Sequence, residues 1–499
     1  MLWRDPRIMA ACFRPTTKDL GGRVVRGAVW MAALVVLRTV LTIGSTALLA
    51  RLLTPTDYGF IAMAAVAVEM AAMLCMFGLP MIIVQMPRLT RLDLDSAFWF
   101  SVILGTFVVS IMVAGSTVAA NLFKEPRLAP ILCAMSSLVL FEELSAVHLS
   151  IASRLLLIRY EFVCQIASLV VRAGVSIAFA LAGLGVWSLV WGAVAGRAIY
   201  YALLWWLIPY VPRLRFNSKF LRRSWRAGGS YFGSAALFFF GSNIDTAAVG
   251  RIFGVTQLGF YQTAFALPEE LRSRIALGIQ RVLFPAFALI QADHSAFRSG
   301  VLRSLRILAT IVVPMGVGMA VLADPIVRVL YGSQWLSVVP LLQIAAIVGI
   351  ARALQTFLAN IYKAKGRPDL EFKIGLGLVP LLVLAVLVGS LRGSAGVASG
   401  ILVFSVVSLA STYFALRLIE LAPFEVLQSL FPASAAAAFM GAGLRLLDAM
   451  HAIPRSTDLL ELVLSVAIGI VLFFLSLFLL SRKTVDDFWS VARLLGARH

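Results

Sequence analysis

About fourteen apolar runs, each roughly 20 residues long, follow one another along the chain with only short polar stretches between them. A run of that length is what an α-helix needs to cross about 30 Å of hydrocarbon at 1.5 Å per residue. Hydrocarbon offers backbone amides no water, so a crossing segment must satisfy its own hydrogen bonds, and a helix does so. The pattern predicts an all-α polytopic membrane protein with about 14 transmembrane helices. The first run covers 27–50, the seventh and eighth cover 230–250 and 260–290, and the last covers 460–481. Composition agrees, because 61% hydrophobic and 13% charged residues cannot supply the polar surface of a soluble protein of 499 residues.

The charge is +19, which in a soluble chain would raise the question of nucleic acid. Its distribution answers that question. If successive helices alternate in direction, most of the 43 basic residues fall in loops on the side where the chain starts. That is the positive-inside bias, and it places both termini in the cytoplasm. The heaviest cluster, Arg213, Arg215, Lys219, Arg222, Arg223 and Arg226, follows Trp205, Trp206 and Tyr210 at a helix end. Aromatic anchors beside basic residues fit a membrane interface and its anionic lipids, and no nucleic-acid partner is expected. Residues 1–26 are basic without an apolar core and small-residue cleavage site, so no removable signal peptide is expected there.

Loops are short throughout, the longest outward one spanning 323–338, which leaves little room for a soluble catalytic domain. The polar corner "RLLTPTDYGF" at 51–60 has an echo two hundred positions on, "RIFGVTQLGF" at 251–260. Arg51, Thr56, Gly59 and Phe60 correspond to Arg251, Thr256, Gly259 and Phe260. Both stretches are outward loops after the first helix of a six-helix set, which points to a parallel repeat about an axis along the membrane normal. The chain then divides into a basic N-terminal segment (1–26), a first lobe (27–210), a basic linker (211–229) and a second lobe (230–416). Two further helices (417–481) and a cytoplasmic tail (482–499) complete it. In the first corner, Pro55 ends one helix, Asp57 caps the next and Gly59 lets that helix start close to its neighbour. Asp57 reads as a hinge residue rather than a catalytic acid.

Arginine is expensive inside a membrane. Arg38, Arg172, Arg197 and Arg352 lie near the middles of their runs, and Arg272, Arg274 and Arg281 fall in the eighth. Each would cost about 2.5 to 3.5 kcal/mol if it faced lipid, so they must face a counter-charge, water or a ligand. Internal pairing is one reading, with Glu270 and Arg274 four apart on one helix face and Asp245, Glu69, Glu142 and Glu143 as further partners. The sharper reading is a cationic central cavity between two lobes, suited to phosphate or diphosphate, whose oxygens match the guanidinium fork. Arg274 and Arg281, seven apart, share a face of the eighth helix and make it the best candidate for lining that cavity. Asp245, in "GSNIDTAAVGR", is either an ion-coupling carboxylate or a partner for one of these arginines.

Other chemistry is thinly represented. Cys12, Cys75, Cys133 and Cys164 have no paired spacing, and His148, His294, His451 and His499 are scattered, so no disulfide framework, metal site or cofactor is expected. Nothing matches a phosphate-binding P-loop. "GLGVWSLVWG" at 183–192 holds small residues suited to a tight turn and close helix approach.

Taken together, "ARLLTPTDYGFIAMA", "FGLPMIIVQ", "LDLDSAFWFSVILG", "GLGVWSLVWG", "NIDTAAVGRIFGVTQLGFYQTAFALP" and "VLFPAFALIQ" resemble the bacterial polysaccharide repeat-unit flippases. These are the Wzx-type branch of the multidrug/oligosaccharidyl-lipid/polysaccharide exporter superfamily. The similarity runs in order from about residue 25 to about residue 370. It implies two six-helix lobes plus two helices in the bacterial inner membrane, a cavity that alternates between the two faces, and no enzymatic step. The implied substrate is an undecaprenyl-diphosphate-linked glycan, with membrane lipids as surroundings and a polysaccharide polymerase and chain-length regulator as partners. Three rivals remain: a flippase for the peptidoglycan precursor, a drug/cation antiporter of the same superfamily, and a membrane glycosyltransferase or polymerase. The arginine excess disfavours the antiporter, and the short loops disfavour the enzyme.

Overall fold

A computed structural model describes residues 37–75, 82–84, 86, 89–289, 293–365, 367–450, 457–482 and 484–487. Among them every regular element is helical. The first helix, α1, covers 37–52, followed by α2 (Pro55–Cys75), α3 (Arg91–Phe123), α4 (Leu128–Arg154), α5 (Ile158–Leu181) and α6 (Val186–Leu207). A helical stretch Ser218–Leu289 is interrupted at Gly254, whose φ of 84° and ψ of 176° no helix can contain. We label the parts before and after it α7 and α8. Then come α9 (His294–Val321), α10 (Ala323–Leu330), α11 (Val339–Ala364), α12 (Pro368–Ser390), α13 (Gly393–Ala410), α14 (Tyr413–Arg417), α15 (Pro423–Ala449) and α16 (Asp458–Leu480).

Ten described helical segments are long and apolar enough to cross a membrane, and the chain is a multi-pass all-α protein. Two expected loops are shorter than the sequence implies. The corner at 51–60 is only Leu53 and Thr54, because Pro55 already occupies the first position of α2, where its missing N–H costs nothing. The stretch at 251–260 is helix on both sides of Gly254, since glycine alone takes that backbone conformation without strain. The longest outward loop, 323–338, is itself folded into α10 and a 3-10 turn, Ser333–Val338, closed by the fully buried Trp335.

Some helix starts carry side chains that cap their free amides. Thr90 and Asp93 form a capping box on α3, and Thr457 caps α16. Asp293 caps α9 by accepting from the amides of Ala296 and Ser295, and those bonds hold its carboxyl below the usual range.

The chain divides into two compact units, Met1–Gly259 and Phe260–His499. In the first, α5 and α6 pair closely through Gly192 and Gly196. A Cβ on Gly192 would lie 1.8 Å from the Ser176 hydroxyl, and one on Gly196 would lie 2.9 Å from the Ser168 carbonyl. This is the small-residue packing that lets membrane helices touch backbone to backbone. In the second, α9 packs on α15 and α16 around Ala433, Ala436, Met440 and Phe473. Asp487 ties the helical turn at 484–487 to α9, taking Arg306 through two bonds of 3.0 and 2.8 Å and Arg303 at 3.2 Å.

Candidate functional site

The two related corners meet. Thr54 is the N-cap of α2: its amide and hydroxyl both donate to one carboxylate oxygen of Asp57, at 2.9 and 2.7 Å, and the Asp57 amide reaches the Thr54 hydroxyl at 3.4 Å. Asp57 is thus the third residue of a capping box and reaches back to Thr54. Thr56 lies against Thr256, hydroxyl oxygens 3.0 Å apart. A Cβ on Gly59 would fall 1.9 Å from the carbonyl oxygen of Val255, and one on Gly259 would fall 1.8 Å from that of Pro55. The contact is reciprocal, residue for residue, at an offset of two hundred positions.

The intramembrane arginines do not form one group. Arg172 on α5 and Arg197 on α6 sit on the tightly packed helix pair, where a Cβ on Gly196, the residue before Arg197, would fall 2.8 Å from the Arg172 Cβ. Both retain exposed surface, and among the described residues neither has a carboxylate partner. Facing lipid, each of these like charges would be costly. Tyr58 of α2 adds its polar end to the surroundings of Arg172. Arg38 is half-buried on α1.

Arg272 behaves differently. It donates to Glu269 from two nitrogens and to the Thr356 hydroxyl at 3.2 Å, so internal pairing describes it. Thr356 stands one turn after Arg352, whose carbonyl it bonds, and this places Arg272 beside the helix face that carries Arg352. Arg274 and Arg281 fall on α8, but their side chains lie outside the described residues. Asp245 is buried and accepts from the amide of Thr246 at 2.8 Å, two residues after Asn243, which donates to Glu69 at 2.8 Å. Glu69 therefore serves α7 rather than an arginine.

The motif "LDLDSAFW" has a role that local reading misses, because its partners are more than a hundred positions away. Asp95 accepts the Tyr210 hydroxyl at 2.9 Å and the Arg213 amide at 3.2 Å. Ser96 accepts the Asn217 amide, Asp93 accepts the Asn217 side chain, and Trp99 donates to the Arg213 carbonyl. His148, fully buried and stacked on Trp205, bonds the Tyr210 carbonyl. The motif fastens the basic linker after α6 to the start of α3, and no sequence signal short of pairing these segments would have found it.

On the opposite end of the same unit, the corners before α2, α4 and α6 enclose a cleft of about 390 Å3 lined by Asp57, Arg127, Gly185 and Trp187 among others.

A family model described as a polysaccharide biosynthesis protein matches residues 48–340, more than half of the chain. The chain is 25% identical over 403 residues to the lipopolysaccharide biosynthesis protein WzxC of Escherichia coli, covering 79% of this chain and 81% of that one. It is 25% identical over 451 residues to the succinoglycan biosynthesis transport protein ExoT of Rhizobium meliloti, covering 89% and 91%. The teichuronic acid biosynthesis protein TuaB of Bacillus subtilis is 24% identical over 378 residues, covering 74% and 77%. Among solved structures, the lipid II flippase MurJ in an inward closed conformation superposes with a TM-score of 0.72 at 16% identity, covering 91% of this chain and 98% of that one. An inward-facing multidrug transporter of the MOP superfamily superposes with a TM-score of 0.58 at 12% identity, covering 79% and 98%. The fold is that of these transporters, and the family match over residues 48–340 places the chain in the polysaccharide biosynthesis protein family.

Proposed function

We propose that the chain moves undecaprenyl-diphosphate-linked oligosaccharide repeat units from the cytoplasmic to the periplasmic leaflet of the bacterial inner membrane. It does so by alternating access through a cationic cavity, with both termini in the cytoplasm. The units feed exopolysaccharide, O-antigen or capsule assembly, with a polymerase and chain-length regulator downstream. The observation that carries this reading is the placement of Arg172 and Arg197 on the closely packed α5 and α6, with no carboxylate partner for either among the described residues. A diphosphate cannot enter hydrocarbon with its charge uncompensated, and two guanidinium forks supply both charge and directed donors. No bond is made or broken, so the residues only bind, orient and release. Arg38, Arg352, Arg274 and Arg281 extend the cationic lining in this reading, and the buried Asp245 is the group that binds a coupling ion. A drug/cation antiporter would place carboxylates where this chain places two arginines.

The test is a deletion strain, in which lipid-linked repeat units accumulate on the inner leaflet. Complementation with Arg172→Gln or Arg197→Gln lowers export about tenfold or more, because a hydrogen bond to a charged group is worth roughly 1.5–3 kcal/mol. Both variants remain abundant in the membrane. Full export by the double variant, or accumulation of the peptidoglycan precursor in place of the repeat unit, overturns the assignment.

A further inference from the structure

We infer that the cleft enclosed by the corners before α2, α4 and α6 is a glycan-binding subsite, one that holds sugar rings of the transported unit on the far side of the membrane. This inference rests on the function proposed above for its choice of ligand, but the site is argued from its own chemistry. Three connections and the helix starts they lead into build the cleft: Asp57 in the first turn of α2, Arg127 and Pro130 at the start of α4, and Gly183 to Trp187 running into α6. Each joins an odd helix to an even one, so all three lie on the face opposite the basic linker, which the charge bias assigns to the periplasm.

The side chains there form a set that sugars require. Asp57 uses one carboxylate oxygen in the capping box, while the other lies 3.3 Å from where a Cβ on Gly185 would stand and has no partner among the described residues. The cap holds this acceptor still. Arg127 is exposed at the start of α4, makes no cap bond and has no ion-pair partner among the described residues, so its donors are available. Trp187 lines the cleft and stacks on Trp191, ring centroids 6.3 Å apart and planes 25° apart. Stacked indoles give a flat, electron-rich face for the C–H side of a sugar ring. Gly183 and Gly185, at φ 77° and 54°, keep the intervening wall low, and a side chain at Gly185 would press on Asp57.

Charge selects the ligand class. Asp57 and Arg127 share the cleft without closing an ion pair, so the site is neutral overall and has room for a polar group between an acceptor and a fork of donors. A phosphate would meet the carboxylate and a cation the guanidinium. A hydroxyl that both accepts and donates meets neither repulsion. The volume, about 390 Å3, lies at the small end of the roughly 300–1,000 Å3 of ligand clefts, which suits a short run of sugar rings and not a whole lipid-linked unit.

The experiment uses the purified full chain in detergent, with lipid-free repeat-unit oligosaccharide hydrolysed from the host polysaccharide as one probe and inorganic diphosphate as the other. Saturable oligosaccharide binding is expected. Arg127→Gln and Trp187→Ala each weaken it about tenfold, Trp187→Phe restores most of it, and diphosphate binding is unchanged in all three. Arg127 is exposed, so its variant folds, and an unchanged melting midpoint confirms this. No saturable oligosaccharide binding by the unaltered protein, or equal affinity in the variants, overturns the subsite. The deletion strain tests the transport reading separately: oligosaccharide binding that needs Arg127, without accumulation of lipid-linked units, removes the transport role and leaves the glycan site standing.

Discussion

Gly59 and Gly259 show how narrowly a single hydrogen atom can be required. Neither has an unusual backbone angle; each is small because a carbonyl of the other corner occupies the space a methyl would need, at 1.9 and 1.8 Å. Backbone cannot swing aside as a side chain can, so Gly59→Ala or Gly259→Ala must part the two corners. The expected cost is that of overpacking, about 1–3 kcal/mol, read as a lower melting midpoint of the purified protein. A second measurement isolates the contact. Thr56→Cys with Thr256→Cys places two thiols where hydroxyls stand 3.0 Å apart, and mild oxidation is expected to cross-link them rapidly. Adding Gly59→Ala should slow that cross-link, whereas an unchanged rate means the corners do not touch through these residues. The sequence showed the likeness of the corners, Arg51 to Arg251 and Thr56 to Thr256, but alikeness does not reveal touching. The same limit applies to the arginines. Position within a run marked Arg172 and Arg197 as costly, yet the Glu269 that neutralises Arg272 was one place from the Glu270 that spacing had favoured for Arg274.

At the scale of elements, the latch on the start of α3 explains why a membrane helix begins with so many polar side chains. Asp95 and Ser96 are nearly inaccessible, and each accepts a hydrogen bond from a backbone amide of the linker that follows α6. Replacing Asp95 with alanine leaves the Tyr210 hydroxyl and the Arg213 amide without their acceptor, a loss of about 1–3 kcal/mol. The expected signature is local: trypsin should cut after Arg213 and Arg215 faster in Asp95→Ala than in the unaltered chain, while cleavage elsewhere stays constant. Equal rates would mean that the linker is held by something else. Run length made the helices themselves legible, because hydrocarbon thickness imposes it. The corners were not, because one glycine at φ 84° replaced an expected loop, and nothing in composition distinguishes that from several disordered residues.

For the whole molecule, the fold was readable from alternation of apolar runs and basic loops, which are consequences of the bilayer rather than of any particular packing. The ties that hold the chain to itself were not. Asp487, near the end of the described chain, joins Arg303 and Arg306 on α9 across 181 positions in the case of Arg306. Asp487→Asn keeps the shape and removes the charge, and is expected to release the turn at 484–487 from α9. Faster proteolysis after Arg482, with transport retained, would show the tie to be structural, and unchanged proteolysis would discount it. The reciprocal corner has a further meaning at this scale. Two copies of one peptide that each offer a glycine to the other's carbonyl make the contact that a symmetric pair of identical chains would make. If the halves descend from one ancestral copy, the interface is older than the fusion, and any substitution at that glycine once struck both sides together. On that reading, joining the copies into one chain would have uncoupled them, leaving Gly59 and Gly259 as separate hereditary liabilities at a single contact.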